Sequence, residues 1–412
     1  MTPSDSSTTD ETDREAPGPL SGLRVVEVGS LIAGPFCGQL LGDFGAEVIK
    51  LEDPGVGDPM RAWGHHRPSG FSLSWPIIAR NKKSVTCNLR TPEGQGVLRD
   101  LAAGADVLIE NFRPGTMERW NCGFDELRGL NPRLIMTRVT GYGQTGPYAD
   151  RAGFGVIGEA MGGVRYVTGE PDRPTSRVGI SLGDSLAGTF AALGTVMAVV
   201  HRERTGAGQI VDSAIYEAVL ALMESTIPEW ELAGAQRERS GGTLPGVAPS
   251  NVYPTRDGAE ILIAANRDTV FSRLGPVLGR ADWLDDPRYA THQARGRHGA
   301  ELDEEIRAIT AGRDSDELLD ALHHGGVPAG RTYTSKDMLA DPHFAAREAI
   351  VRLTHHTLGS FPMQNVAPRL SGSPGRVRQV GPELGEHTDE VLTSVLGLSA
   401  AAVEELREKG VV

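Results

Sequence analysis

The sequence predicts a chain of two domains, a larger α/β one built on a parallel sheet with helices on both faces and a smaller α+β one. Two observations carry that expectation. Between Leu23 and Val139, short apolar runs alternate with helical stretches, as strands joined by crossover helices do. The length of 412 residues also exceeds what one core normally serves, and a Gly/Pro-rich break at 240–249 (SGGTLPGVAP) divides it. The larger domain is therefore Rossmann-like, with a doubly wound sheet.

Leu23 to Gly29 (LRVVEVG) reads as the first strand, followed by a helical stretch through Gly34-Pro35 to Gly45. Glu47 to Glu52 (EVIKLE) and Ser84 to Leu89 (SVTCNL) read as the second and third strands. Thr91-Pro92-Glu93 then opens a helix with a capping hydroxyl, a proline at the first helical position and an acidic first turn, and the helix should reach about Ala103. Asp106 to Glu110 and Leu134 to Val139 complete the alternation. From Leu182 to about Glu203 a long alanine- and leucine-rich helix is entered through Gly183-Asp184-Ser185 and stops at Arg204-Thr205-Gly206. A short strand, Gln209 to Asp212, leads into a helix from about Ala214 to Leu232. The large domain is expected over 18–235, with 345–412 returning to it, and the small domain over 250–335. Residues 1–17, polar and acidic, read as a disordered tail.

The composition excludes several functions. A net charge of −13 argues against a nucleic-acid binder, although five lysines and thirty-six arginines leave room for one anionic metabolite in an arginine-lined cleft. Cys37, Cys87 and Cys122 are odd in number and widely spaced, which suits reduced core residues better than a disulfide framework or a zinc site. No signal-peptide h-region and no continuous apolar run of about eighteen residues occurs, so a cytoplasmic protein is expected.

Motifs for phosphate binding and hydrolysis are missing. Gly29 is followed by Ser-Leu-Ile-Ala-Gly-Pro rather than by a G-x-G-x-x-G pattern, and neither a Walker A loop nor a G-x-S-x-G elbow occurs. The histidine pairs His65-His66, His323-His324 and His355-His356 lack metal-ligand spacing, and no metal is expected. Asp184 is the carboxylate of greatest interest. At the start of an apolar helix it reads first as an N-cap, and alternatively as an ionised carboxylate held by the helix dipole, able to act as a covalent nucleophile. Local sequence leaves both open.

The chain resembles the class III CoA-transferases, the family that includes formyl-CoA transferase, the carnitine and bile-acid CoA-transferases (CaiB/BaiF type) and α-methylacyl-CoA racemase. The resemblance runs from about Pro19 to the C-terminus. It rests on PLSGLRVVEVG, AGPFCGQLLGDFGAEVIKLE, GVGDPMR, ARNKKSV, LRTPEG, DVLIENFRPGTMERWNCG, NPRLIMTRVTGYGQTGPY, the Gly183-Asp184-Ser185 segment, RTGAGQIVD and LGEHTDEVL. It implies an enzyme in which Asp184 attacks a donor thioester, and CoA then moves through aspartyl-anhydride and aspartyl-CoA thioester intermediates. No ATP, metal or permanent cofactor is implied; coenzyme A and acyl-CoA are substrates. The resemblance places CoA against Leu31, Ile32, Ala33, Arg90, Asn111, Phe112, Arg119 and Tyr142, a water-excluding lid at Gly241-Gly242, and an interlocked homodimer. Arg80-Asn81-Lys82-Lys83 could face the adenosine phosphates or cap a turn.

One departure separates activities within that family. Its racemases carry Gly-His-Asp where this chain has Gly153-Phe154-Gly155. Racemisation needs an acid/base group on each face of the α-carbon, and Phe154 cannot be one. Gly155 also stands where many transferases carry a carboxylate, which Glu159 could replace. The expected activity is transfer of CoA from a succinyl-CoA-like donor to a small carboxylic acid, a dicarboxylate by preference, with Arg61, His65 and Arg67 as candidate partners for a second carboxylate. The rivals are a racemase or isomerase and a non-catalytic CoA-binding paralogue.

Overall fold

The computed structural model describes residues 17–412; the tail expected over 1–17 lies, apart from Pro17, outside the described residues. Six strands, β1 (Arg24–Glu27), β2 (Glu47–Glu52), β3 (Lys82–Thr86), β4 (Val107–Glu110), β5 (Ile135–Thr140) and β6 (Ile210–Ala214), form one sheet in the order β3-β2-β1-β4-β5-β6. Every pairing is parallel. The strand order reverses between β1 and β4, and in doubly wound sheets ligands bind outside the carboxyl ends of the strands at that point.

Adjacent strand residues feed opposite cores. Val25, Val48, Val107 and Ile109 pack with helix α1 (Ala33–Asp43) on one face. Val26, Ile49 and Leu108 pack with helix α2 (Pro92–Ala103) and with Val391 and Val403 of the C-terminal helices on the other. The central strands β1, β2 and β4 are thus buried on both faces. Helix α2 starts as its sequence predicts: Thr91 Oγ1 accepts a hydrogen bond from Gly94 N at 3.1 Å, with Pro92 at the first helical position. β3 begins two residues earlier than expected, because the charged Lys82 is a buried strand residue.

Two further helices matter to the site, α3 (Gly155–Met161) and α4 (Leu182–Thr205). Helix α4 lays Ala187, Ala191 and Ala198 into the core it shares with α1. By length and composition it could cross a membrane, with a window of mean hydropathy 1.4, a test that a core helix of a soluble protein also passes. The helix expected over 214–232 is two helices, Ile215–Leu220 and Thr226–Ala233. Pro228 explains the break, since its ring would clash with the carbonyl of Glu224 in a continuous helix, and Glu224 adopts φ 50° instead.

The described residues divide into two compact units, one of residues 17–163, 180–224 and 346–412, the other of 164–179 and 225–345. The second unit starts earlier than 250 and includes the 164–179 excursion. It carries an antiparallel sheet of β7 (Ser250–Pro254), β8 (Glu260–Ala264) and β9 (Ala329–Arg331) around a core containing Tyr253, Phe271, Trp283 and Leu318.

Candidate active site

A cleft of about 440 Å³ opens at the carboxyl ends of β1 to β4. Val28, Leu51, Leu89, Phe112 and Trp120 give it an apolar side; Lys50, Glu52, Asp53, Asp58 and Arg90 give it a polar one. Among the residues expected at CoA, Arg90 and Phe112 line it directly. Phe112 is set edge-on to Trp120, with ring centroids 5.1 Å apart. Arg90 is 78% exposed at its side chain and pairs with Asp53 at 2.5 Å. Asp53 is held below the usual carboxylate range by the Gly55 amide and then by Arg90.

Asn111 does something more specific. Its Oδ1 accepts from Ser30 N and its Nδ2 donates to Ser30 O, both at 2.8 Å, so the residue after β4 clamps the loop after β1 across the point where the strand order reverses. Gly29 makes room for this, because a Cβ there would lie 2.9 Å from Asn111 Oδ1. The clamped loop places Leu31 at φ 65°, in the left-handed region that disfavours a branched residue. Leu31 and Ile32 turn towards the small cluster of Met60, Trp75 and Ile78, and Ala33 is buried at the first position of α1. Arg119 is exposed and donates to Thr116, which lines the cleft. Tyr142 follows the carboxyl end of β5, edge-on to Tyr148.

Beneath the loop lies a buried ionic network that the sequence did not announce. Lys50 Nζ approaches Glu27 at 2.9 Å and Asp58 at 2.9 Å, and donates to Gly29 O at 2.8 Å. Asp58 Oδ1 accepts from Leu31 N at 3.2 Å. Lys82 reaches the other oxygen of Glu27 at 2.8 Å and the Pro35 carbonyl at 2.7 Å. Burial alone would lower the Lys50 pKa, but the Glu27, Asp58 and Glu52 carboxylates push it up, so Lys50 remains charged. Asp58 Oδ2 meets Lys50 as a charge without an aligned hydrogen bond.

The basic cluster is largely committed to this interior. Arg80 forks onto Asp43, Asn81 donates to Asp43 and to the Arg376 carbonyl, and Lys83 bridges Glu47 and Glu390. It therefore ties the sheet edge together rather than presenting a phosphate site. Arg61, one of the candidates for a second carboxylate, forks onto Glu52 and lies over the Trp75 ring at 3.8 Å, whereas His65 and Arg67 are exposed. The three cysteines are free and buried, and burial pushes the Cys37 and Cys87 thiols up to about 12.

Asp184 is the third residue of α4 and half-buried, and the N-cap position is Ser181. A first-turn position is one where the helix dipole favours negative charge. One turn further on, Gly188 allows α4 to close on the start of α1: a Cβ there would lie 2.7 Å from Ala33 O and 3.0 Å from Phe36 Cβ. The carboxylate thus stands about 6 Å along the helix, at 1.5 Å per residue, from its contact with the helix that the clamped loop opens. Phe154, at the position of the racemase histidine, is 64% exposed and caps α3. In the second unit Gly241, at φ 63°, donates to the Gly169 carbonyl, and Ser240 and Thr243 bond reciprocally across the turn.

Comparisons with known proteins identify the family. The model of CoA-transferase family III matches residues 20–388. The chain is 58% identical over 396 residues to the succinyl-CoA–D-citramalate CoA-transferase of Chloroflexus aurantiacus, covering 96% of this chain and 98% of that one. It is 41% identical over 397 residues to the β subunit of succinyl-CoA–L-malate CoA-transferase from the same organism, covering 96% and 98%. The crystal structure of a CaiB/BaiF family protein from Brucella suis superposes with a TM-score of 0.81 at 34% identity, over 92% of this chain and all of that one. The chain belongs to CoA-transferase family III and is a CoA-transferase.

Proposed function

We propose that this enzyme moves CoA from succinyl-CoA to a small hydroxylated dicarboxylate, with D-citramalate the first acceptor to test. The observation that carries the proposal is the 58% identity, sustained over 98% of its length, to a transferase of that name. Asp184 is the nucleophile. Its carboxylate adds to the donor thioester and expels CoA thiolate, leaving an aspartyl-succinyl anhydride. The thiolate attacks the aspartyl carbonyl, releasing succinate and leaving an aspartyl-CoA thioester. The acceptor carboxylate displaces CoA to give a second mixed anhydride, and the thiolate takes the acceptor acyl group and frees Asp184. One thioester replaces another, so the exchange needs no external energy source.

CoA occupies the cleft at the strand ends. Arg90 and Arg119 serve its phosphates through the guanidinium fork, Phe112 and the backbone of Leu31, Ile32 and Ala33 line its arm, Asn111 fixes the loop, and Tyr142 borders the reacting end. Binding of this remote moiety positions the thioester for attack. Gly241-Gly242 is the candidate lid residue pair, excluding water from the anhydrides. Phe154 offers no proton acceptor, which disfavours racemisation. The enzyme acts in the cytoplasm as an interlocked homodimer, a proposal supported by the apolar stripe Phe190, Leu193, Met197 and Val200 exposed on α4 at 3-4-3 spacing.

The test is a reaction of purified enzyme with succinyl-CoA and a panel of carboxylic acids in D₂O, with mass spectrometry of every CoA ester. D-citramalyl-CoA is the expected product, and light scattering should give twice the 43.9 kDa chain mass. An α-branched acyl-CoA that gains one mass unit without transfer would establish racemase chemistry instead.

A further inference from the structure

We infer that Glu159 is a positioning residue for Asp184, and that the bare backbone at Gly155 is the condition for it. The inference rests on Asp184 being the nucleophile. The start of α3 and the first turn of α4 meet with almost no room between them. A Cβ at Gly155 would lie 2.7 Å from Asp184 Cγ, 2.8 Å from its Oδ1, and closer still to its Oδ2. A Cβ at Gly183 would lie 3.0 Å from the Gly155 carbonyl oxygen and 3.1 Å from Glu159 Cγ. Both glycines let the two helix ends close, and a side chain at 155 would displace the carboxylate on which the chemistry depends.

Glu159 stands one turn after Gly155, on the same face of α3. It is 2% exposed, and its Oε1 accepts from Gly183 N at 3.3 Å. That amide is among the first four of α4, which have no acceptor within their own helix. A side chain at the N-cap would ordinarily serve, but Ser181 makes no such bond. Glu159 therefore caps α4 from a neighbouring helix, at the residue immediately before the nucleophile. Gly183 is the residue with the greatest backbone freedom in that turn, and the bond from Glu159 removes it. The geometry assigns Glu159 to fixing the direction in which Asp184 leaves the helix, through the hydrogen bond that it accepts from Gly183 N.

The experiment is steady-state kinetics of the full chain with succinyl-CoA and its acceptor, comparing Glu159→Ala, Glu159→Gln, Gly155→Ala and Asp184→Ala. Misplacing a reacting group by a fraction of an ångström is costly, so Glu159→Ala and Gly155→Ala should each lower kcat about tenfold or more while leaving the succinyl-CoA KM within about twofold. Glu159→Gln keeps an oxygen acceptor and should restore kcat to within about threefold of wild type. Wild-type kcat in Glu159→Ala, a loss confined to KM, or a Gln variant as impaired as the Ala variant would overturn the inference. Should Glu159→Ala fail to fold, Gly155→Ala with undiminished kcat would overturn it equally. An active Asp184→Ala would sink the nucleophile itself; an inactive one beside a fully active Glu159→Ala would sink only the present inference.

Discussion

The loop after β1 and the first turn of α4 are both held tightly, by opposite means. The loop is fixed by added groups: the Asn111 amide clamps Ser30 from the side, while Lys50 and Asp58 grip Gly29 O and Leu31 N from below. The helix end is fixed by groups taken away, since Gly155 and Gly183 bring backbones together and the Glu159 carboxylate bonds across the seam. A loop held by buried charges is stiff but depends on every partner being present. A seam of glycines depends on nothing larger entering it. The first construction suits a region that must bind a large, anionic substrate arm without moving, and the second one that must present a reactive carboxylate at close quarters.

The largest effect expected from breaking either region is at the seam. Asp184→Ala should lower kcat on the order of 10³-fold or more while the variant still binds CoA, measured by turnover and by calorimetric titration. On the loop side, Lys50→Met leaves the Glu27 and Asp58 carboxylates buried with one partner fewer, at a cost of about 3–5 kcal/mol in urea unfolding. A stability close to wild type would show that the network does not hold the loop, and the contrast between the two regions would collapse.

Glu52 sharpens the contrast through pH. Burial raises its pKa, but Arg61, Lys50 and Ser84 together bring it below the ordinary value of 4.5. A depressed carboxylate stabilises the fold above its unfolded pKa, and that contribution disappears as the pH falls through the folded value. Glu52→Gln should therefore be less stable than wild type by about 1.5–3 kcal/mol at neutral pH, and the gap should close as the pH falls from 4.5 through the folded value. A gap that stays constant across that range would contradict the ionic account. The smallest effect belongs to Asn111→Ala, which removes the lateral clamp alone. It should raise the succinyl-CoA KM about tenfold with kcat retained, as for lost ground-state binding. A fall in kcat with unchanged KM would mean that the loop serves the chemistry rather than the binding.

The sequence made one of these regions more visible than the other. Gly183-Asp184-Ser185 at the mouth of an apolar helix, and the departure at Gly153-Phe154-Gly155, both stand out on reading, and the structure places them against each other. The sheet is equally legible, because short β-branched runs alternate along the chain with helical stretches. The ionic network is not. Glu27 and Lys50 look like solvent-facing charges in two separate strands, and only the parallel register that sets them side by side makes them partners. Register depends on tertiary pairing, which local pattern does not encode. For the same reason Arg80-Asn81-Lys82-Lys83 reads as a cluster that faces phosphates or caps a turn, while Asp43, Glu27 and Glu47 claim its charges within the fold. The break after Leu220 was hidden by a different cause: Pro228 sits in an apolar, helix-like stretch, and the periodicity on either side conceals what one missing amide does.

The most direct test of the central claim is to quench the enzyme with acid during turnover of succinyl-CoA alone and map its peptides by mass spectrometry. The account predicts CoA attached as a thioester to the peptide carrying Asp184, absent from Asp184→Ala and lost on addition of the acceptor acid. A turning-over enzyme with no adduct on that peptide, or with the adduct on another carboxylate, would contradict it.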